Sequence, residues 1–300
     1  SARIICRISL NTIKNNFPQD LNIMNIFHWG EHLLLANGFN NARQDIEWML
    51  CDLLKIRRSD IYVKFEEKIT KNNVADLKEW INQRLKKTPV QYITGKTEFY
   101  GHEISVSPDV FIPRPETERL VDLAVDRIKN LSNPKVLEIG TGTGCISIAI
   151  GSAKKDANIL SLDISVAALK VARINSIINN ISNVKFEKLD FLRSIPRGEY
   201  DLIISNPPYI SKYEMKKIML DVRKYEPEIA LTDNNDGLQF YRRFCENVRK
   251  LIRGKGTLIL EVGIGSHPMR VLEIFYSSGF ENIDLISDYN GDLRVLKIEI

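Results

Sequence analysis

The chain has 300 residues, 44% of them apolar and 27% charged, a composition that excludes a collagen, a coiled coil or a disordered tail and suits about two globular domains. Its 42 basic and 38 acidic residues leave a net charge of +4, a mild excess that permits an acidic or nucleic-acid partner without requiring one. No apolar run reaches the roughly 18 residues of a spanning helix. The cysteines Cys6, Cys51, Cys145 and Cys245 lie far apart with no CxxC, which argues against a zinc site or a disulfide framework and for a reducing, cytoplasm-like compartment.

Ser1–Gln19 holds Arg3, Arg7 and Lys14 and no acid. Weak organelle transit segments look like this, and so do AT-rich bacterial sequences. Residues 1–20 are therefore read as an extension without assigned function. Only three glycines fall in residues 1–100, and the periodic apolar residues there predict helices. The first is Ile26–Asn37, ended by Gly38 as a C-cap. Asn41 is expected to cap the second, with Ala42, Ile46, Met49, Leu50, Leu53 and Leu54 on one face. Ser59 starts a short third. Thr70 or Asn73 starts a fourth, with Val74, Leu77, Ile81 and Leu85 inward, stopped before Pro89.

Val90, Tyr92, Phe99, Tyr100, Ile104, Val106, Val110 and Phe111, punctuated by Gly95, Gly101 and Pro108, predict a hairpin connecting two domains. Pro113 and Pro115 then open a helix with Leu120, Val121, Ala124, Val125 and Ile128 inside. Strands are expected at Lys135–Ile139, Ile159–Asp163, Val184–Leu189, Tyr200–Ser205 and Gly256–Val262, with two more near Ile283–Ser287 and Arg294–Ile300. Their Ile/Leu/Val runs suit a parallel sheet covered on both faces, an α/β fold. The expected division is an extension (1–20), a helical bundle (21–87), a hairpin linker (88–112) and an α/β domain (113–300).

Gly140-Thr141-Gly142-Thr143-Gly144 follows the first strand and opens a helix. Glycines there let the backbone turn tightly and let a ligand approach it. A bare βα turn, a dinucleotide site and an S-adenosylmethionine site all begin this way. G-x-G-x-G, with Cys145 where a dinucleotide fingerprint wants its last glycine, suits S-adenosylmethionine better. Asp163 ends the second strand, where a carboxylate can accept from ribose hydroxyls. Asp190 and Phe191 end the third, where an acid can accept from an adenine amino group and a ring can cover its face.

Asn206-Pro207-Pro208-Tyr209 ends the fourth strand. A rigid turn would use the same residues. Yet the prolines contribute no N–H, so main-chain carbonyls can face outward beside the Asn206 side chain, with Tyr209 as a flat floor. Such a clamp holds both hydrogens of a planar NH₂ and aims its nitrogen at a sulfonium methyl. His28-Trp29-Gly30-Glu31-His32 fits a zinc-peptidase pattern, but no third ligand is signalled and a solvated helix face is the better reading.

These motifs resemble class I methyltransferases of the Asn-Pro-Pro-Tyr type and, more narrowly, the release-factor glutamine N5-methyltransferases of the PrmC/HemK family. The likeness is carried by Pro89–Gly95, Phe99-Tyr100-Gly101, Phe111–Glu118, Glu138–Gly144, Asn206–Tyr209, Asp221-Val222-Arg223, Tyr225-Glu226-Pro227 and, loosely, Asp288-Tyr289 with Arg294-Val295. Ribosomal-protein glutamine methyltransferases are similar too, but usually depart from Ile-Pro-Arg-Pro-Glu-Thr-Glu after its arginine. The resemblance implies a Rossmann-like, seven-stranded, mostly parallel methyltransferase domain. It also implies an N-terminal α-helical domain that recognises a class I peptide chain release factor, whose Gly-Gly-Gln glutamine is methylated. Asn206, Pro207, Pro208 and Tyr209 would hold that amide. Gly140, Thr141, Gly142, Thr143, Gly144, Asp163, Asp190, Phe191 and Asn206 would hold S-adenosylmethionine, and Phe111 would close the site. No metal, no direct nucleic-acid partner, no membrane and a monomer are expected, in cytoplasm or mitochondrion. A nucleic-acid amino methyltransferase stays open as the rival, since the clamp suits an adenine or guanine NH₂ equally. Nine basic against five acidic residues in 57–87 make a mixed face rather than a basic stripe.

Overall fold

A computed structural model describes residues 17–300, so most of the expected extension lies outside the described residues. The chain divides into two compact units between Thr94 and Gly95.

The first unit is helical: α1 (Ile23–Ala36), α2 (Ala42–Leu54), α3 (Arg58–Val63), α4 (Lys71–Leu85) and α5 (Val90–Thr94). Asn22 and Thr70 cap α1 and α4 through side-chain bonds to Asn25 N (2.8 Å) and Asn73 N (3.1 Å). Asn41 stands at the cap position of α2, but its side chain accepts no capping bond. Ile26, Phe27, Leu34, Ile46, Met49, Leu50 and Ile81 fill the core. Gly30 is buried because a Cβ there would lie 2.6 Å from Ile46 Cδ1; it is a packing glycine. His28 and His32 are exposed, with His28 Nδ1 3.5 Å from Glu31 Oε2.

The expected hairpin is corrected at its start. Val90–Thr94 is helical, because Pro89 presets the backbone and its carbonyl accepts from Tyr92 and Ile93 N–H at 3.1 and 3.2 Å. So short an apolar run carries no period that separates strand from helix. The hairpin itself is β1 (Lys96–Phe99) paired antiparallel with β2 (His102–Ser105), and it belongs to the second unit.

The second unit continues with a 3₁₀ turn (Pro115–Thr117), α6 (Glu118–Ile128), β3 (Lys135–Ile139), α7 (Cys145–Ala153), β4 (Asn158–Asp163), α8 (Val166–Ile178), β5 (Val184–Lys188) and β6 (Tyr200–Ser205). After short α9 (Leu220–Tyr225) and α10 (Glu228–Leu231) come α11 (Gln239–Leu251), β7 (Ile252–Glu261), α12 (His267–Ser277), β8 (Ile283–Ser287) and β9 (Leu293–Glu299). The seven-stranded sheet runs β5-β4-β3-β6-β7-β9-β8, with β9 antiparallel to both neighbours and every other pairing parallel. Leu137, Ile139, Ile203, Leu258, Leu260 and Leu296 share one core with Tyr241, Phe244, Val271 and Phe275 of α11 and α12. Glu138, between Leu137 and Ile139, points to the opposite face and meets Ser147 of α7, as strand alternation requires. The chain works outward from β3 to β5 and returns to β6 on the other side of β3. That switch point is where open α/β sheets bind ligands.

Asn175 of α8 is fully buried and ties three segments together. Its Oδ1 accepts from Ser105 N (2.8 Å), and its Nδ2 donates to Ser105 O (3.0 Å) and Thr143 O (2.9 Å). The hairpin edge and the glycine loop thus hang on one amide. Replacing it strands buried donors and acceptors, at about 1–3 kcal/mol for each group left unpaired. Asn175→Ala should therefore destabilise the protein by about 2 kcal/mol or more in urea unfolding; a change under about 0.5 kcal/mol would mean that water replaces the amide without penalty.

Candidate active site

The loop after β3 is shaped by its glycines. Gly140 and Gly142 have φ of +76° and +54°. A Cβ on Gly142 would meet nothing within 4 Å, so the bare backbone faces open space. Gly144, at φ +81°, is different: a Cβ there would lie 3.1 Å from Ala172 Cβ, and this glycine does not line the cavity. It is what lets α7 start against α8. The loop is held from below, where the carbonyl of Leu162 accepts from Gly140 N (2.8 Å) and Thr141 N (3.0 Å).

Asp163, at the end of β4, accepts from Gly142 N through one oxygen and from Ser165 N through the other, both at 2.8 Å. Each oxygen keeps a lone pair. Burial raises its pKa against the pull of those N–H groups. Asp190 accepts from Leu192 N at 3.1 Å and lies 3.3 Å from Arg193 Nε. Phe191 is only 3% exposed and packs on Phe244 with ring centroids 4.6 Å apart, so it is a core residue as well as a wall.

These groups border one cavity of about 290 Å³ with Phe111, Thr117, Asn206, Pro207, Pro208 and Tyr209. The two ends meet because β3 and β6 are neighbours, with Ile139 opposite Ser205 and Ser205 Oγ donating to Ile139 O at 2.6 Å. A Cβ on Gly140 would come within 3.8 Å of Asn206 O. The donor set fits S-adenosylmethionine: open glycine backbone, a carboxylate with free lone pairs at Asp163, and the apolar walls of Leu189, Phe191 and Leu192 beside Asp190.

The turn at the end of β6 is seated by residues far away in sequence. Asn206 Nδ2 donates to Thr117 Oγ1 (3.2 Å), whose hydroxyl donates to Glu261 Oε2 (2.6 Å). Tyr209 donates its hydroxyl to Glu261 Oε1 (3.3 Å), and Arg294 Nη2 lies 3.7 Å from that oxygen. Burial pushes the Tyr209 hydroxyl well up. Gly237, at φ +79°, lies under the turn, since a Cβ there would be 2.3 Å from Tyr209 O. His267 accepts from Gly263 N at 3.1 Å through Nδ1 and so donates from Nε2 to Gly237 O at 3.2 Å. Burial lowers its pKa.

Beside Phe111 of the cavity wall, Arg114 is ion-paired with buried Glu226, which also accepts from Ile112 N (3.3 Å), and the Arg114 guanidinium lies 4.8 Å from the Phe111 ring centroid. Thr117, Glu226 and Arg294 stand inside runs that carry the resemblance, but no spacing signals their roles. Glu261 could have been found as Asp163 was, as an acid closing an apolar strand.

Glu138 accepts from Thr141 Oγ1 (2.7 Å), Ser161 Oγ (2.9 Å) and Ser147 Oγ. Those hydroxyls favour the ionised form, yet burial raises the group from 4.5 to about 7. A raised carboxyl pKa means that its contribution to stability is full below about pH 4.5 and is lost as pH climbs to about 7. Asp163, Glu226 and Glu261 are raised by burial too and act in the same direction. The urea midpoint of the wild type should therefore fall between about pH 5 and 7.5 more steeply than that of Glu138→Gln; parallel profiles would show that Glu138 does not titrate in this range.

Two family models match the chain, the PrmC N-terminal domain over residues 25–95 and the methyltransferase small domain over residues 116–222. A release factor glutamine methyltransferase of Thermodesulfovibrio yellowstonii is 37% identical over 88% of this chain and 95% of its own length. One from Fusobacterium nucleatum is 35% identical over 91% of this chain and 77% of its own. Among solved structures, the catalytic domain of hMettl16 in complex with MAT2A 3′UTR hairpin 6 superposes with a TM-score of 0.54 over 66% of this chain and 76% of its own, at 17% identity, a likeness of fold alone. The glycine loop, the Asn-Pro-Pro-Tyr turn and the relatives that match along nearly the whole chain lead to one conclusion: this chain belongs to the release factor glutamine methyltransferase family.

Proposed function

We propose that this protein transfers a methyl group from S-adenosylmethionine to the side-chain amide nitrogen of the glutamine in the Gly-Gly-Gln motif of class I peptide chain release factors. The observation that carries the reading is that the Asn206–Tyr209 turn and the Gly140–Thr143 loop border the same cavity. S-adenosylmethionine supplies an electrophilic sulfonium methyl, held by the loop backbone, Asp163, Asp190 and the wall of Phe191.

An amide NH₂ is a poor nucleophile because its lone pair is delocalised. Asn206 Oδ1 and the Pro207 carbonyl accept its two hydrogens and fix the nitrogen. Acceptors placed there also stabilise the positive charge that nitrogen gains as its bond to the methyl carbon forms and the carbon–sulfur bond breaks, leaving the neutral thioether S-adenosylhomocysteine; one amide hydrogen then departs to solvent as a proton. Tyr209 supplies a flat surface for the amide plane, and its own hydroxyl is occupied by Glu261. Phe111 closes the cavity opposite, anchored through Arg114 and Glu226. Positioning at about 3–3.5 Å provides much of the remaining acceleration. The helical region, 21–87, is assigned the recognition of the release factor, a role supported by the PrmC N-terminal model that matches residues 25–95.

Labelled methyl transfer tests the reading. Intact class I release factor should take up label, and its Gly-Gly-Gln→Gly-Gly-Ala variant, ribosomal protein and nucleic acid should not. Label on nucleic acid with none on the factor would overturn the substrate. Asn206→Ala should cut kcat by roughly 100-fold, as loss of one preorganised group does, while S-adenosylmethionine affinity stays nearly intact. Turnover within about threefold of wild type would sink the clamp.

A further inference from the structure

Thr117 opens the helix after the paired prolines, 89 residues before Asn206 and 144 before Glu261, yet the three side chains form one run of hydrogen bonds. Thr117 is 3% exposed and Glu261 1%. A hydroxyl has one proton, and an ionised carboxylate can only accept. At 2.6 Å from Glu261 Oε2, the Thr117 proton is committed to the carboxylate. The hydroxyl oxygen then has only lone pairs for its other neighbour. The Asn206 atom 3.2 Å away is therefore the amide nitrogen, and the amide oxygen is turned from Thr117. Arg294 Nη2, 3.7 Å from Glu261 Oε1, and the two hydroxyls that Glu261 accepts favour its ionised form against the burial that raises the carboxyl, and Oε1 takes the Tyr209 hydroxyl.

Asparagine oxygen and nitrogen have nearly the same shape, so packing alone does not choose between them. The choice matters. With Oδ1 presented, the clamp accepts from an NH₂ group. With Nδ2 presented, it donates, repels NH₂ and favours a carbonyl or carboxylate oxygen.

We infer that Glu261, acting through Thr117, is the positioning residue that fixes the Asn206 amide with Oδ1 presented, and so makes the clamp selective for an amino group. The same carboxylate seats Tyr209. This rests on the amino-group clamp proposed above and assigns its selectivity to a buried carboxylate at the end of β7, outside the Asn-Pro-Pro-Tyr turn.

The test uses the full-length protein. With intact release factor, Thr117→Val should lower kcat roughly tenfold or more while S-adenosylmethionine affinity, by calorimetry, stays within about twofold. Thr117→Ser, which keeps the hydroxyl, should restore kcat to within about threefold of wild type. In an Asn206→Ala background, Thr117→Val should add less than about a twofold loss, because the group it orients is gone. A second readout needs no substrate. The ¹⁵N side-chain amide signal that disappears in Asn206→Ala should exchange slowly with solvent in wild type and Thr117→Ser, and rapidly in Thr117→Val. Wild-type kcat in Thr117→Val, an undiminished Thr117→Val penalty in the Asn206→Ala background, or unchanged amide exchange would each overturn the inference. If wild type leaves the release factor unlabelled, the substrate reading fails, and the amide-exchange comparison alone decides this one.

Discussion

The adjacency of β3 and β6 is the constraint on which the site depends. Ile139 lies opposite Ser205, and the Ser205 hydroxyl bonds the Ile139 carbonyl at the very ends of the two strands. One residue further along each strand stand Gly140 and Asn206. Parallel pairing makes both strands end at the same edge, and the switch in strand order opens a crevice there. A glycine loop and an Asn-Pro-Pro-Tyr turn separated by more than 60 residues thereby face one cavity. Had the chain placed β6 beyond β5, the same two motifs would lie on different strands' ends, too far apart to share a ligand.

Around that edge the protein buries carboxylates. Glu138 ends beneath the glycine loop among three hydroxyls, Asp163 holds Gly142 and Ser165, Glu226 holds Arg114 and Ile112, and Glu261 holds Thr117 and Tyr209. Burial raises all four, so each costs stability when it ionises. Each also organises a segment with no regular structure of its own. Loops gain little from hydrophobic packing, and an acceptor that takes two donors at once fixes a backbone where a side-chain contact would not. Rigid placement at the end of a sheet is what a reaction that relies on orientation requires.

Much of the molecule was legible in the sequence for identifiable reasons. The sheet strands stand out because central strands buried on both faces read as unbroken Ile/Leu/Val runs; expected and observed bounds agree within one residue except at β7, which starts at Ile252, four residues before the expected Gly256. Gly140, Gly142, Asp163, Asn206 and Tyr209 could be named because the loop ends of parallel strands follow directly from the strand pattern. Val90–Thr94 is a helix where the sequence predicts the start of a hairpin, because five apolar-rich residues beside a proline fit either period. Gly144 and Gly30 have packing roles that no spacing reveals, since each depends on a residue of another helix that comes close to it: Ala172 and Ile46.

By itself, then, the sequence determined the strand and helix order, the glycine loop, the carboxylates at strand ends and the proline-stiffened turn, because local periodicity and backbone chemistry are written in consecutive residues. Tertiary structure alone decided which of these face one another. Thr117, Glu261 and Arg294 reach the turn, Glu226 reaches Arg114, and Asn175 joins the hairpin to the glycine loop. Side-chain hydrogen bonds between residues 30 to 150 positions apart leave no trace in spacing. They exist only once the strand order has brought their backbones within a few ångströms.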